Sequence, residues 1–233
     1  MLKISKILLT GLFLLTSFAH MASAGIVLIT DRTSLGGTDY YDWALLGGTA
    51  TPIPSGTIVT SNNGLQATLS IPSGDMIKTD QQPWLGNFSN NTPLLSTNGN
   101  SGPLTVDFNG LVSGAGAQIQ WDAYGAFTAE IKAFDNLGGL LASYFLDGSS
   151  TSVSNNSAIF IGLLSDSLNI AMLTFNVTNS RGFVINQLDV TTSTPQQQQQ
   201  PPTPILQVPE PGIFVLFSLG LLAMGTLVRR REV

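Results

Sequence analysis

The chain has no cysteine and a single histidine, His20. No disulfide can form, so any fold must rest on packing and hydrogen bonds. His20 sits inside an apolar N-terminal segment. If that segment is removed, the remaining protein has neither imidazole nor thiol. A Ser-His-Asp or Cys-His arrangement is then excluded, as is a zinc site built from His and Cys. No glycine-rich phosphate loop of the Walker type is present. Positive charge is scarce as well. Between residues 25 and 207 twelve carboxylates face four basic residues, a balance of −8. A body this acidic repels phosphate backbones and anionic headgroups, so nucleic acid is not an expected partner. No long amphipathic helix and no internal repeat appears.

The two ends are built differently from the middle. Lys3 and Lys6 precede a short apolar run, residues 7–18, and Ala22-Ser23-Ala24 then places small residues at the −3 and −1 positions. This is the pattern of a signal peptide covering residues 1–24, with cleavage by signal peptidase between Ala24 and Gly25. The apolar run is too short for a membrane span, which needs about 20 residues. Residues 212–228 carry no charge, and Arg229, Arg230 and Arg231 follow directly. A 17-residue helix extends about 25 Å, at the short end of what spans a bilayer. Arginines stay on the cytoplasmic side, which puts the body outside the cytoplasm. Residues 194–207 hold five consecutive glutamines among prolines, with no charge. They read as a semi-extended spacer reaching about 40 Å.

Val208-Pro209-Glu210-Pro211 stands immediately before the apolar stretch. The order of Val-Pro-Glu-Pro, apolar helix and arginine cluster over residues 208–233 resembles the PEP-CTERM sorting signal of outer-membraned bacteria. The resemblance implies recognition by an exosortase, a membrane cysteine transpeptidase-like enzyme, with cleavage near the motif. It also implies a link to exopolysaccharide production. The prolines fit that role physically, because they deny helix at the membrane boundary and present an extended segment. The expected path is export, transient anchoring in the inner membrane, then the cell surface or the exterior. A permanent single-pass anchor is the alternative.

The body, residues 25–193, reads as strands. Leu65, Ala67, Leu69 and Ile71 alternate with polar residues, and Asn62-Asn63-Gly64 links them to residues 57–60 as a hairpin. Further alternating segments are 104–108, 117–121 and 127–134, the last followed by a turn at 135–139 into 140–146. Residues 159–163, 171–177 and 183–190 complete nine or ten short strands, and in the last the apolar face switches near Asn186, which predicts a bulge. The expected fold is an all-β antiparallel sandwich with jelly-roll-like arrangement. Residues 39–46 fit one helical turn. The body also resembles the jelly-roll-like domains carried by PEP-CTERM proteins, through Leu35-Gly36-Gly37-Thr38-Asp39, Asp42-Trp43, Leu46-Gly47, Phe160-Ile161-Gly162, Ser165-Asp166 and the segment 183–190. Such domains end in an Ile-Asp-Asn-Leu-like strand. Here Ile185-Asn186-Gln187-Leu188 puts Asn where Asp is usual, and the resemblance implies no activity.

No catalytic residue is expected, and the chain is read as a non-enzyme. The one glutamate of the body, Glu130, shares a strand face with Lys132, the pattern of a solvated ion pair. A glycan hydrolase needs two carboxylates, and Asp122 is the candidate second one. Calcium takes oxygen ligands only. Its candidate ligands are Asp31, Asp39 and Asp42 in one group and Asp75 with Asp80 in another, against the ordinary use of Asp in turns. Pyranose rings stack on aromatic faces. Trp121 belongs to a core face, Trp43 fits the end of the sandwich, and Trp84 lies in a loop-like stretch between Pro72 and Pro103, which makes it the candidate ligand contact. The expected function is that of a secreted, surface-sorted matrix or exopolysaccharide-associated protein. The alternatives are a lectin-like module, with or without calcium, and a carboxylate-dependent glycan hydrolase.

Overall fold

The computed structural model of the protein describes residues 25–178 and 181–193. In chain order they form β1 (Ile26–Ile29), α1 (Arg32–Leu35), β2 (Asp39–Tyr41), a 3-10 turn (Trp43–Leu46), β3 (Thr51–Ile53), β4 (Thr57–Thr60), β5 (Gln66–Ser70) and β6 (Met76–Asp80). There follow α2 (Gln81–Trp84), β7 (Pro93–Ser96), β8 (Leu104–Val112), β9 (Gly114–Trp121), β10 (Gly125–Phe134) and β11 (Leu140–Ser150). The last elements are β12 (Ile159–Ser165), β13 (Ile170–Val177), β14 (Phe183–Ile185) and β15 (Leu188–Thr191).

All strand pairs are antiparallel and fall into two sheets. One runs β11-β10-β13-β8-β5-β4. The other runs β1-β12-β9-β14-β7-β6-β3, with β15 lying between β9 and β2. The period-2 reading of β10 holds: Phe127, Ala129, Ile131 and Ala133 enter the core between the sheets. Leu69, Leu104, Ile119 and Phe175 are fully withdrawn from water there. Each such side chain contributes about 1.5–3 kcal/mol relative to exposure, which is how the body stands without a disulfide. Trp43 closes the core as expected, stacked near Tyr41 with 6.3 Å between ring centroids and donating Nε1–H to the carbonyl of Asn186 at 2.7 Å.

The predicted bulge also appears. The segment 183–190 is two strands, β14 and β15, interrupted at Asn186 and Gln187, and both pair with β9. Residues 39–46 divide into strand and 3-10 turn rather than forming one helical turn.

Two expectations are corrected. The stretch from Pro72 to Pro103 is not an unstructured loop, since it carries β6, α2 and β7. Its short strands are broken by Asn, Gly and Pro, so no long alternation announces them. Glu130 is not a solvated partner. Its ion pair with Lys132 forms at 2.7 Å, but Glu130 is only 8% exposed. Strand β10 lies inside its sheet, and Phe145 of β11 and Asn176 of β13 flank Glu130 in register.

A second, small core lies on the outer side of the larger sheet. It consists of Phe88, Leu94, Ala158 and Val184, with Trp84 packed over it. Leu95 and Ile185, the next residues along their strands, belong to the main core, so their neighbours point outward. Asn87 stitches this flap down, accepting the amide N–H of Thr151 at 2.7 Å and donating its own N–H to Gln120 Oε1 at 2.6 Å.

Candidate functional site

The outer face of the larger sheet carries a stack that begins with glycine. Gly116 and Gly162 are partners across β9 and β12. A Cβ on Gly116 would stand 2.8 Å from the Phe160 ring and 2.7 Å from Gly162 Cα. Only the missing side chains let the Phe160 ring lie flat there. The Arg32 guanidinium lies above that ring, 5.6 Å from its centroid, within the range of a cation–π contact.

Arg32 is held at its rim by three groups. Its Nη1 pairs with Asp189 Oδ2 at 2.6 Å. Its Nη2 donates to Asn186 Oδ1 at 3.1 Å and to the Gln187 carbonyl at 3.4 Å. Asp189 is also bonded by Gln187 Nε2 at 2.6 Å. Burial raises the Asp189 carboxyl above the ordinary carboxylate value, and the Gln187 hydrogen bond and Arg32 charge oppose that rise. Asn186 joins the cluster to β9: its Nδ2 donates to Gln118 Oε1 at 2.6 Å, and Gln118 N–H returns to Asn186 Oδ1 at 2.9 Å. Gln118 Nε2 continues to Asn156 Oδ1 at 3.3 Å and the Ala158 carbonyl at 2.9 Å. The break between β14 and β15 is what turns Asn186 into this junction. A regular strand would have spent its backbone and side chain otherwise.

Two concavities open beside this chain of groups. One, about 490 Å³, is lined by Gln187, Asp189, Tyr40 and the glycines after α1. The other, about 380 Å³, is lined by Asp31, Gln118, Asn156, Ser157 and Phe160. Arg32 belongs to both linings.

The residues singled out by sequence are dispersed. Asp31 caps α1 through Ser34 N–H at 2.8 Å, and the Ser34 hydrogen bonds hold its carboxyl below the usual carboxylate value. Asp42 caps the 3-10 turn through Ala44 N–H at 2.9 Å. Asp39 is buried and ties β2 to the β4–β5 turn, accepting from Asn63 N–H at 3.0 Å and from the Ser61 hydroxyl. Asp80 is paired with Lys78 at 2.7 Å, and Asp75 is exposed just before β6. Among the described residues no group of three or more Asp, Glu, His or Cys side chains is placed to hold a metal ion. Trp84 folds onto the small core, with its ring centroid 5.9 Å from that of Phe88. Glu130 lies on the outer face of the smaller sheet and Asp122 follows β9 in the larger one, so the structure does not bring them together as a catalytic pair. Ala22, Ala24, Val208, Pro209, Glu210, Pro211, Arg229, Arg230 and Arg231, with the apolar segment 212–228, lie outside the described residues. Gly25 is described and directly precedes β1.

Sequence reading gave no site role to Arg32, Gln118, Phe160, Gln187 or Asp189, and used Asn186 as a bulge signal and as the Asn that stands where such domains carry Asp. The signal was there in part: Gln118 and Gln120 alternate with core residues on β9, and Gly114-Ala115-Gly116 leaves that face bare.

No curated protein sequence matches the chain. Among solved structures it is similar to a DUF4465 family protein from Bacteroides caccae, at 9% identity and a TM-score of 0.34, over 72% of this chain and 100% of that one. It is also similar to CsCBM6-3 from Clostridium stercorarium, solved with cellobiose, at 11% identity and a TM-score of 0.23, over 62% and 88% of the two chains. A third likeness is the CBM22-1 xylan-binding domain of Paenibacillus barcinonensis Xyn10C, at 12% identity and a TM-score of 0.16, over 68% and 97%. These likenesses are distant. The specific match is at the other end of the chain: residues 207–231 match the PEP-CTERM protein-sorting motif. The chain is thus a β-sandwich body that carries a PEP-CTERM sorting motif.

Proposed function

We infer that the protein is exported, handed to an exosortase through residues 207–231, and released to the cell surface as a non-enzymatic, exopolysaccharide-associated component of the matrix. The sorting motif carries this reading. The composition around it supports it. Residues 1–24 have the build of a signal peptide, and a charge-free stretch followed by three arginines stands at 212–231. A binding rather than a catalytic role is supported by the body's chemistry: it has no His and no Cys, and its one glutamate is engaged by Lys132. Among binding roles, the polar cluster around Arg32 favours a lectin-like module.

The test is cell fractionation with intact mass of the recovered protein. The expected product begins at Gly25 and is shortened near Pro209, and a strain without exosortase retains the tail in its membrane fraction. A cytosolic protein of full-length mass would end this reading.

A further inference from the structure

We propose that the two concavities meeting at Arg32 form one groove that binds a neutral, linear glycan, several sugar units at a time. The inference rests on the surface-sorted reading and deepens it by naming a site and a ligand class. Four observations carry it.

First, the polar groups of the groove are already fixed. The lining residues Asn156, Gln118, Arg32, Asp189 and Gln187 are joined, through the buried Asn186, by a continuous run of hydrogen bonds and one ion pair. Side chains ordered before binding lose little entropy on binding. Planar amides and a guanidinium, each with donors or acceptors at fixed angles, suit the paired hydroxyls of a pyranose.

Second, the lining selects against charge. Asp31, Asp39 and Asp189 outnumber Arg32, and Arg32 is already neutralised by Asp189 at 2.6 Å. A uronate, sulfate or phosphate group would meet net negative charge there, within a body whose balance is −8 between residues 25 and 207.

Third, the groove offers little apolar anchorage for a peptide: its lining holds one half-buried aliphatic side chain, Ile159. The strongly exposed large apolar side chains, among them Leu45, Ile58, Leu137 and Phe145, all lie outside both linings. Its aromatic contributions are the half-buried Tyr40 and the Phe160 ring beneath Arg32.

Fourth, the size fits a chain. Concavities of about 490 and 380 Å³ share Arg32, and each alone falls within the range of small-ligand clefts. A ligand crossing Arg32 reaches both.

The experiment is calorimetric titration of the protein as recovered from cells. The probes are cello-, xylo-, manno- and galacto-oligosaccharides of two to six units, with oligogalacturonate as the anionic counterpart. One or more neutral series should bind, with affinity rising with chain length and then levelling off. Asn156→Gly and Tyr40→Leu, at the two ends of the groove, should each lower affinity about tenfold and level off at a shorter chain. Arg32→Lys keeps the charge but loses the planar fork and should abolish the length dependence. If that variant fails to fold, the two end variants decide. Ile58→Ser on the other sheet should change nothing.

Failure of every neutral series at millimolar concentration would overturn the proposal. So would a preference for oligogalacturonate, or end variants that bind like the parent. A protein that binds neutral chains yet stays in the cytosol refutes the sorting reading alone. One that is sorted but inert toward every series refutes the groove alone.

Discussion

The amide N–H of Gly25 donates to Asp166 Oδ2 at 3.1 Å, and the Asp166 N–H returns to the Gly25 carbonyl at 3.3 Å. This reciprocal pair sits one step before the Ile26–Ser165 partners that begin the β1–β12 ladder. Removal of residues 1–24 would turn the Gly25 amide into an ammonium facing that carboxylate. In the processed protein this amine should titrate above the roughly 7.7–8.0 of an ordinary α-amino group, and Asp166→Asn should return it there. NMR titration of the isotopically methylated amine reads both values. An unshifted amine on a chain shown by mass to begin at Gly25 would remove the pairing.

Tyr41 is 1% exposed, and its hydroxyl finds no hydrogen-bond partner among the described residues. Burial, with the nearby Asp39 charge, pushes its ionisation far upward, so it stays a neutral phenol. A buried unsatisfied hydroxyl costs about 1–3 kcal/mol. Tyr41→Phe keeps the ring and should raise stability by about 1 kcal/mol, seen as a higher urea midpoint at unchanged slope.

The glycine floor beneath Phe160 should be intolerant of even one methyl group. Gly116→Ala places that methyl 2.8 Å from the ring. It also stands 2.7 Å from Gly162 Cα and 2.9 Å from the Ile161 carbonyl oxygen, so the β12 backbone must shift and take Phe160 and Arg32 with it, at a cost of about 1–3 kcal/mol for an overpacked site. Thermal unfolding reads the loss, and oligosaccharide binding should fall in the same variant.

Lys78 is almost fully buried beside Asp80, at 2.7 Å. Partial burial lifts the Asp80 carboxyl, but the Lys78 and Thr49 hydrogen bonds outweigh it and hold the group below its ordinary value. A depressed carboxylate stabilises the fold above its unfolded value of roughly 3.9, and that part is lost as pH falls through the folded value. Asp80→Asn should cost about 1–3 kcal/mol at neutral pH. It should also flatten the acid limb of a stability profile measured from neutral pH down through the carboxylate range.

The long strands were legible because one side of each faces the core. Phe127, Ala129, Ile131 and Ala133 declare β10 by alternation, and Asn62-Asn63-Gly64 declares the β4–β5 hairpin. The change of face at Asn186 showed as a break between β14 and β15. Strands β1, β2, β3, β6 and β7 were not legible. They have three to five residues each, too few for a period to repeat, and their pairing comes from partners distant in sequence. Trp84 read as a loop residue and candidate ligand contact because the Phe88 and Ala158 cluster it packs on assembles only when residues 81–92 meet residues 151–158. The groove escaped for the same reason: Arg32 and Asp189 are far apart in the chain, and neither has a neighbour that announces the other.

The last strand of the body, β15, is enclosed by β2 and β9 rather than left at an edge. A pull applied along β15 from its own C-terminal end would run down its axis. All rungs to both neighbours would then be loaded at once in shear, instead of opening one by one as in a peeled margin. The ladder on both flanks of β15 would then share the load, where an edge strand would give way on one side.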